Sequence, residues 1–207
     1  FAQTAAQVEA ALDRVFEPAE QALTMSRGWL AGEAPDRERP DAFNRLFQPI
    51  LETLPQATSV VAGTSNGEGW MLLQEADGSW LNRLTDIPRH GTRHFFFERD
   101  ADGSTRQYQQ TMDYDPRLRD WYRVALYDRG RVQWTAPYTF YTTGEPGITA
   151  STQLTLADGR DLVIGIDLKL RDLSNTTMNA PVGKHGLSLV LDHDMRVLAL
   201  PALPAGQ

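Results

Sequence analysis

Cysteine is absent from the 207-residue sequence. That excludes disulfides, thiolate zinc sites and thiol catalysis. No apolar run reaches the roughly 18 residues of a membrane-spanning helix. Basic residues are in the minority: 20 Lys and Arg stand against 27 Asp and Glu, a net charge of −7. The acids are spread along the chain, and there is no basic stripe of the kind a nucleic-acid partner needs for its phosphates. There is no Gly-rich phosphate loop and no Gly-x-Ser-x-Gly elbow. The histidines are His90, His94, His185 and His193. His90 and His94 are four apart, but no Glu completes a zinc-protease motif, so they read as structural or solvent-facing. The pairs Asp113/Asp115 and Asp158/Asp161 lie at turns, where Asp bonds its own backbone. No nucleophile, base and orienting group come together. The expectation is no catalytic residue, no cofactor and no metal. No secretory signal is legible in the first residues.

What is present is an ordinary globular composition. Hydrophobic content is 41%, and the length suits one large domain or one and a half smaller ones. Residues 1–31 read as a helix. Ala5, Val8, Leu12, Val15, Ala19, Ala22, Ser26 and Trp29 recur at spacings of three and four. This seam suits packing along the chain's own domain or against a second copy in a homodimer. Pro18 predicts a kink or a restart there, because an interior Pro removes a hydrogen bond. A polar connector leads to a second helix over 41–54, with a cap expected near Arg39-Pro40-Asp41. Strands and tight turns follow. Runs at 59–64, 70–74, 80–84, 93–99, 104–111, 132–135, 138–141, 148–155 and 161–167 are punctuated by Asn66-Gly67, Asp77-Gly78, Asp102-Gly103 and Asp158-Gly159. A short helix is expected over 168–175, then a hairpin over 186–200. The fold class is α+β: a long N-terminal helix, then an antiparallel sheet half covered by helices. The last hairpin is stranded and reads as the start of a second module, cut short.

The stretch Tyr114-Asp-Pro-Arg-Leu-Arg-Asp-Trp-Tyr122 sets guanidinium, indole and phenol groups at a loop-to-helix junction. Such a cluster can hold a small carboxylate, or can be a surface ion-pair cluster. Asp115-Pro116 is a helix start, and Asp120 is a second one. A start at Asp120 leaves Arg119 in the entering loop, free to be aimed independently of Tyr122. Over 161–167, Leu162, Ile164 and Ile166 alternate with Val163, Gly165 and Asp167. Gly165 leaves room beside Asp167, so this carboxylate can face an open space. Alternatively, Asp167 caps a helix starting at Leu168. If Arg119 covers the same face, the pocket has a guanidinium at one end and a carboxylate at the other. Its natural guest is a zwitterion.

These residues resemble the double Cache sensor family. The likeness is carried by Tyr114-Asp-Pro-Arg-x-Arg119-x-Trp121-Tyr122, Trp134-Thr-x-Pro-Tyr138, Glu145-Pro-Gly-Ile-Thr-x-Ser151 and Gly165-Ile-Asp-Leu168. The first helix and the closing Leu189-Val-Leu-Asp…Arg196-Val-Leu-Ala add to it, so nearly the whole chain is covered. The resemblance implies a periplasmic ligand-sensing domain of a bacterial transmembrane receptor, with a long helix and PAS-like modules. Residues 1–35 would be the helix, 36–182 the membrane-distal ligand-binding module, and 183–207 the beginning of the membrane-proximal one. Any enzymatic output would lie in a cytoplasmic domain. The amino-acid-binding subfamily is matched at Tyr114, Arg119, Trp121, Tyr122, Tyr138 and Asp167. By that likeness Arg119 and Trp121, with Tyr114, hold a carboxylate, and Asp167, with Tyr122 and Tyr138, holds an amino group. A dicarboxylate or an amine is the alternative guest, and a dimerisation module with a vestigial pocket the alternative role. Two positions depart from the pattern. Phe140 stands where amino-acid binders often carry an acid, and Asp120 where many relatives have Pro.

Overall fold

The computed structural model describes residues 2–172, together with 190–191 and 197–199. Helix α1 (Ala2–Trp29) leads into α2 (Asp41–Thr53). Strands β1 (Ala57–Thr64), β2 (Glu68–Gln74) and β3 (Trp80–Asp86) follow, then the single turn α3 (Ile87–His90). The hairpin β4 (Arg93–Arg99) and β5 (Thr105–Thr111) precedes a 3-10 turn (Pro116–Leu118) and α4 (Asp120–Val124). Short strands β6 (Gln133–Trp134) and β7 (Tyr138–Thr139) lead to the long hairpin β8 (Pro146–Thr155) and β9 (Asp161–Lys169). Nine strands form one antiparallel sheet in the order β5-β4-β3-β2-β1-β9-β8-β6, with β7 also on β8. The pairing of β1 with β9 brings the first and last strands of this sheet together at its centre.

Strand parity splits the sheet into two chemistries. One face carries Val60, Ala62, Trp70, Leu72, Ile148, Ala150, Leu162, Ile164, Ile166 and Leu168, packed against Val15, Ala19, Leu23, Phe43 and Phe47 of the two long helices. The opposite face carries Val61, Met71, Leu73 and Val163 beneath Trp121, Tyr122 and Ala125. The same alternation that buries the helix face therefore aims Arg83 and Asp167 at the other side, with Thr149 bonded to Asp167 there.

The seam on α1 is used within the domain: Val15, Ala19, Ala22, Leu23, Ser26 and Leu30 are buried. Trp29, part of the expected seam, is 47% exposed, as is Met25 at 54%. Pro18 lies inside α1, which does not restart there. Packing on both sides of Pro18 holds the helix through the missing hydrogen bond. Trp134 Nε1 also ties the sheet to α1 by donating to Glu20 at 2.7 Å. Helix α2 begins after Pro40 without a side-chain cap, in contrast to the cap expected there. The expected helix over 168–175 starts later, because β9 runs on through Lys169. Of the closing hairpin only β10 (Val190–Leu191) and β11 (Val197–Ala199) are described, and they pair antiparallel. The rest of the 183–207 segment lies outside the described residues.

Candidate ligand-binding site

The Tyr114–Tyr122 stretch uses both of its helix starts. Asp115 accepts the Arg117 backbone N–H and opens the 3-10 turn with Pro116 in its first position. Arg119 then returns to extended backbone, φ −86° and ψ 150°, and α4 begins at Asp120. This break separates the roles of the two arginines. Arg117 folds back onto Asp115 in a 2.6 Å ion pair. Arg119 is released toward the sheet, its guanidinium 5.9 Å from the Tyr114 ring centre and 5.3 Å from that of Tyr141. The segment seats closely because β1 has Gly63 beneath it. A Cβ there would stand 2.8 Å from Pro116 Cβ and 3.2 Å from Trp121 Cη2.

Opposite Arg119 stands Asp167 in β9. It lies inside a strand and does not cap a helix at Leu168. Sheet register sets Ser59 of β1 on one side of it and Thr149 of β8 on the other. Both hydroxyls donate to the carboxylate, Thr149 at 2.6 Å. Tyr138 Oη lies 2.6 Å from Thr149 Oγ1, and since Thr149 spends its proton on Asp167, Tyr138 donates to Thr149. Asp167 is 6% exposed. Burial pushes its carboxyl up to about 6, against the opposing pull of its hydroxyl donors and Arg83. Burial likewise raises the phenols of Tyr114 and Tyr138 and keeps both neutral. The space at Gly165 is not open. A Cβ there would meet Thr149 Cγ2 at 2.9 Å and Val61 Cγ2 at 3.1 Å, so flanking strands use the room.

Between these poles lies a cavity lined by Ser59, Arg83, Tyr114, Arg119, Trp121, Tyr138, Phe140, Tyr141, Thr142, Asp167 and apolar residues of β1 and β2. Its volume is about 30 Å³, room for water but not for a larger guest. Five of the six residues singled out from the sequence reach it: Tyr114, Arg119, Trp121, Tyr138 and Asp167. Tyr122 does not line the cavity. It packs in the apolar layer with Trp121 and Val61, its rings set edge-on to Trp121 at 5.7 Å. Burial pushes its phenol up to about 12. Phe140 fills the position of the missing acid. Its ring lies over Gly147, where a Cβ would fall 2.0 Å from Phe140 Cζ.

Sequence reasoning missed Arg83, Ser59 and the Thr149 hydroxyl. Arg83 is 3% exposed, with its guanidinium 3.7 Å from the Tyr114 ring centre and Nη1 donating to Thr142 at 2.7 Å. The Asp77-Gly78 turn contained a signal: it sets β2 against β3 with Met71 facing Arg83. Elsewhere, His94 is fully buried and structural, bonded to Thr85 at 2.9 Å and to the Met112 carbonyl at 3.2 Å. His90 is exposed and rests edge-on to Phe95. Asp158 and Asp161 serve turns and surface pairs with Arg160 and Arg129. Among the described residues no three His, Asp or Glu gather as metal ligands, and no helix is long and apolar enough to cross a membrane.

Residues 75–175 match the family described as methyl-accepting chemotaxis protein-like, first PDC sensor domain. A probable methyl-accepting chemotaxis protein of Bacillus thuringiensis is 39% identical over 93 residues, 45% of this chain and 14% of that protein. Methyl-accepting chemotaxis protein TlpB of Bacillus subtilis is 31% identical over the same shares. The chain thus matches only about a seventh of the length of these curated relatives. Among solved structures, the ligand-binding domain of Campylobacter jejuni chemoreceptor Tlp3, in complex with 4-methylisoleucine, superposes with a TM-score of 0.65 at 16% identity, covering 96% of this chain and 68% of that one. The ligand-binding domain of the Pseudomonas aeruginosa amino acid chemoreceptor PctB, in complex with L-Arg, gives 0.59 at 19% identity, covering 97% and 62%. The fold is the α+β, PAS-like fold of Cache sensor domains.

Proposed function

We propose that this chain, which carries a PDC sensor domain of the methyl-accepting chemotaxis protein-like family, is the extracytoplasmic sensing part of a membrane receptor and binds an α-amino acid between Arg119 and Asp167. One observation carries this reading: a guanidinium and a buried carboxylate face a common cavity walled by aromatic rings. Arg119, with Trp121 Nε1 and Tyr114 Oη, takes the α-carboxylate. Asp167 takes the ammonium with Tyr138, and Tyr122 backs Trp121. The amino acids bound by Tlp3 and PctB support the guest class. Output chemistry belongs to other parts of the receptor.

A 30 Å³ cavity must widen to admit such a guest. One wall of the cavity is the segment supplying Tyr138, Phe140, Tyr141 and Thr142. Asp167 and Thr149 sit on β9 and β8, whose other faces hold Ile166, Leu168, Ile148 and Ala150 against α1. A guest that binds the open and closed arrangements unequally therefore biases how these strands meet α1. A dimer through α1 would use the exposed Met25 and Trp29. In this reading residues 36–182 form the ligand-binding module and 183–207 begin a second one.

The test is a thermal-unfolding screen of the chain with single L-amino acids. A binder at a hundredfold its Kd adds about 2.7 kcal/mol, and Arg119→Ala removes the response. Absence of stabilisation by any L-amino acid near millimolar concentration would sink the proposal.

A further inference from the structure

We infer that the guest carries a second acidic group and that Arg83 receives it, so that the site selects an acidic α-amino acid over its amide. This rests on the amino-acid reading above. The charged side chains lining the cavity are Arg83, Arg119 and Asp167. Two cations therefore face one anion. A neutral amino acid brings one carboxylate and one ammonium, and leaves that excess of positive charge unchanged. A guest of net charge −1 cancels it.

Arg83 is the cation that the α-carboxylate at Arg119 leaves without an anion. Its side chain is almost fully buried, donates one hydrogen bond to Thr142, and forms no ion pair among the described residues. Asp167 accepts one hydroxyl on each oxygen, from Ser59 and Thr149, keeps lone pairs for the ammonium, and forms no ion pair with Arg83 among the described residues. Arg83 and Arg119 both lie against the Tyr114 ring, at 3.7 and 5.9 Å from its centre. A ring face offsets only part of the desolvation of a guanidinium. The like charges of buried Arg83 and half-buried Arg119 around one ring are relieved by an anion between or beside them. Arg83 comes from β3, beyond Met71 and Val61 in the sheet, whereas Asp167 lies on β9. A group reaching Arg83 therefore leaves the α-carbon in a different direction from the ammonium. The planar fork of Arg recognises a carboxylate through two parallel bonds, and an amide presents a single oxygen to it.

The experiment is isothermal titration calorimetry of the chain with L-glutamate, L-aspartate, L-glutamine and L-asparagine. At least one acid is expected to bind about tenfold or more tightly than its amide, the discrimination of one charge-assisted contact. Arg83→Gln is expected to weaken the acid about tenfold more than the amide and so erase that preference, and Arg83→Lys to keep part of it. Amides binding as well as acids overturns the inference and leaves the amino-acid reading standing. Equal weakening of acid and amide by Arg83→Gln also overturns it, because both arginines would then clamp one α-carboxylate. If none of the L-amino acids in the full screen binds, both readings fall. The wild-type ranking decides the matter should the Arg83 variants not fold.

Discussion

Asp167→Asn offers the sharpest test of how the site is built. In the folded chain this carboxyl titrates near 6 instead of 3.8, because burial disfavours its charge more than Ser59 and Thr149 favour it. An unfolded chain loses this proton near 3.8 and the folded one near 6, so between those values the folded state holds more protons. Stability contributed at this position therefore falls as pH rises through that window. A displacement of about 2 pH units corresponds to about 3 kcal/mol, at about 1.4 kcal/mol per unit. Asparagine carries no charge and escapes this penalty. It keeps an oxygen for the Thr149 hydroxyl, while the Ser59 hydroxyl must rotate to accept, an adjustment of about 1 kcal/mol. The variant is thus expected to be about 2 kcal/mol more stable than wild type at pH 7.5, and equal or slightly less stable near pH 4. Chemical denaturation of both chains across pH 4 to 8 measures the difference directly. A difference that stays flat over this range would refute the raised titration and the desolvation argument behind it. The same variant should lose its response to amino acids, since an amide cannot neutralise an ammonium. A protein that keeps a destabilising carboxylate where an amide would stabilise it keeps it for a partner.

Other positions test the surrounding architecture. Gly147→Ala drives a methyl to 2.0 Å from Phe140 Cζ and 2.7 Å from the Leu168 carbonyl. It should destabilise by about 1–3 kcal/mol, and a crystal structure should show Phe140 displaced from the cavity wall; unchanged melting would mean that the β7–β8 turn is looser than described. Glu68, 1% exposed, receives Arg37 at 2.8 Å and Arg160 from either side. Glu68→Ala should lower stability by only about 1 kcal/mol, because the arginines it leaves behind are partly exposed and turn to water, without altering ligand response.

Much of the fold was legible because its signals are local. The turn dipeptides placed the hairpins, and the alternation Leu162, Ile164, Ile166 against Val163 and Asp167 assigned the faces of β9 correctly. The Asp115-Pro116 and Asp120 starts were both readable, and the ambiguity between them was real, since the chain uses both. Of the kink or restart expected at Pro18, the restart does not occur, because a local penalty is outweighed by the packing of a long helix on a sheet. Gly165 misled for a related reason. A missing side chain shows where space exists in one strand, while Thr149 and Val61 of its neighbours decide who occupies it.

The sequence by itself determined the class of the chain, the face that each strand buries, and the segment that opens at Arg119. These follow from periodicity and turn chemistry within a few residues. Only the tertiary structure decided which polar groups meet. The β1–β9 register brought Ser59 to Asp167 across 108 positions. The packing of the Tyr114 ring brought Arg83 and Arg119 to one cavity, and it left Tyr122 in the layer behind. The physical reason is that pairing between distant strands is set by the whole sheet's hydrophobic fit, which no single stretch encodes.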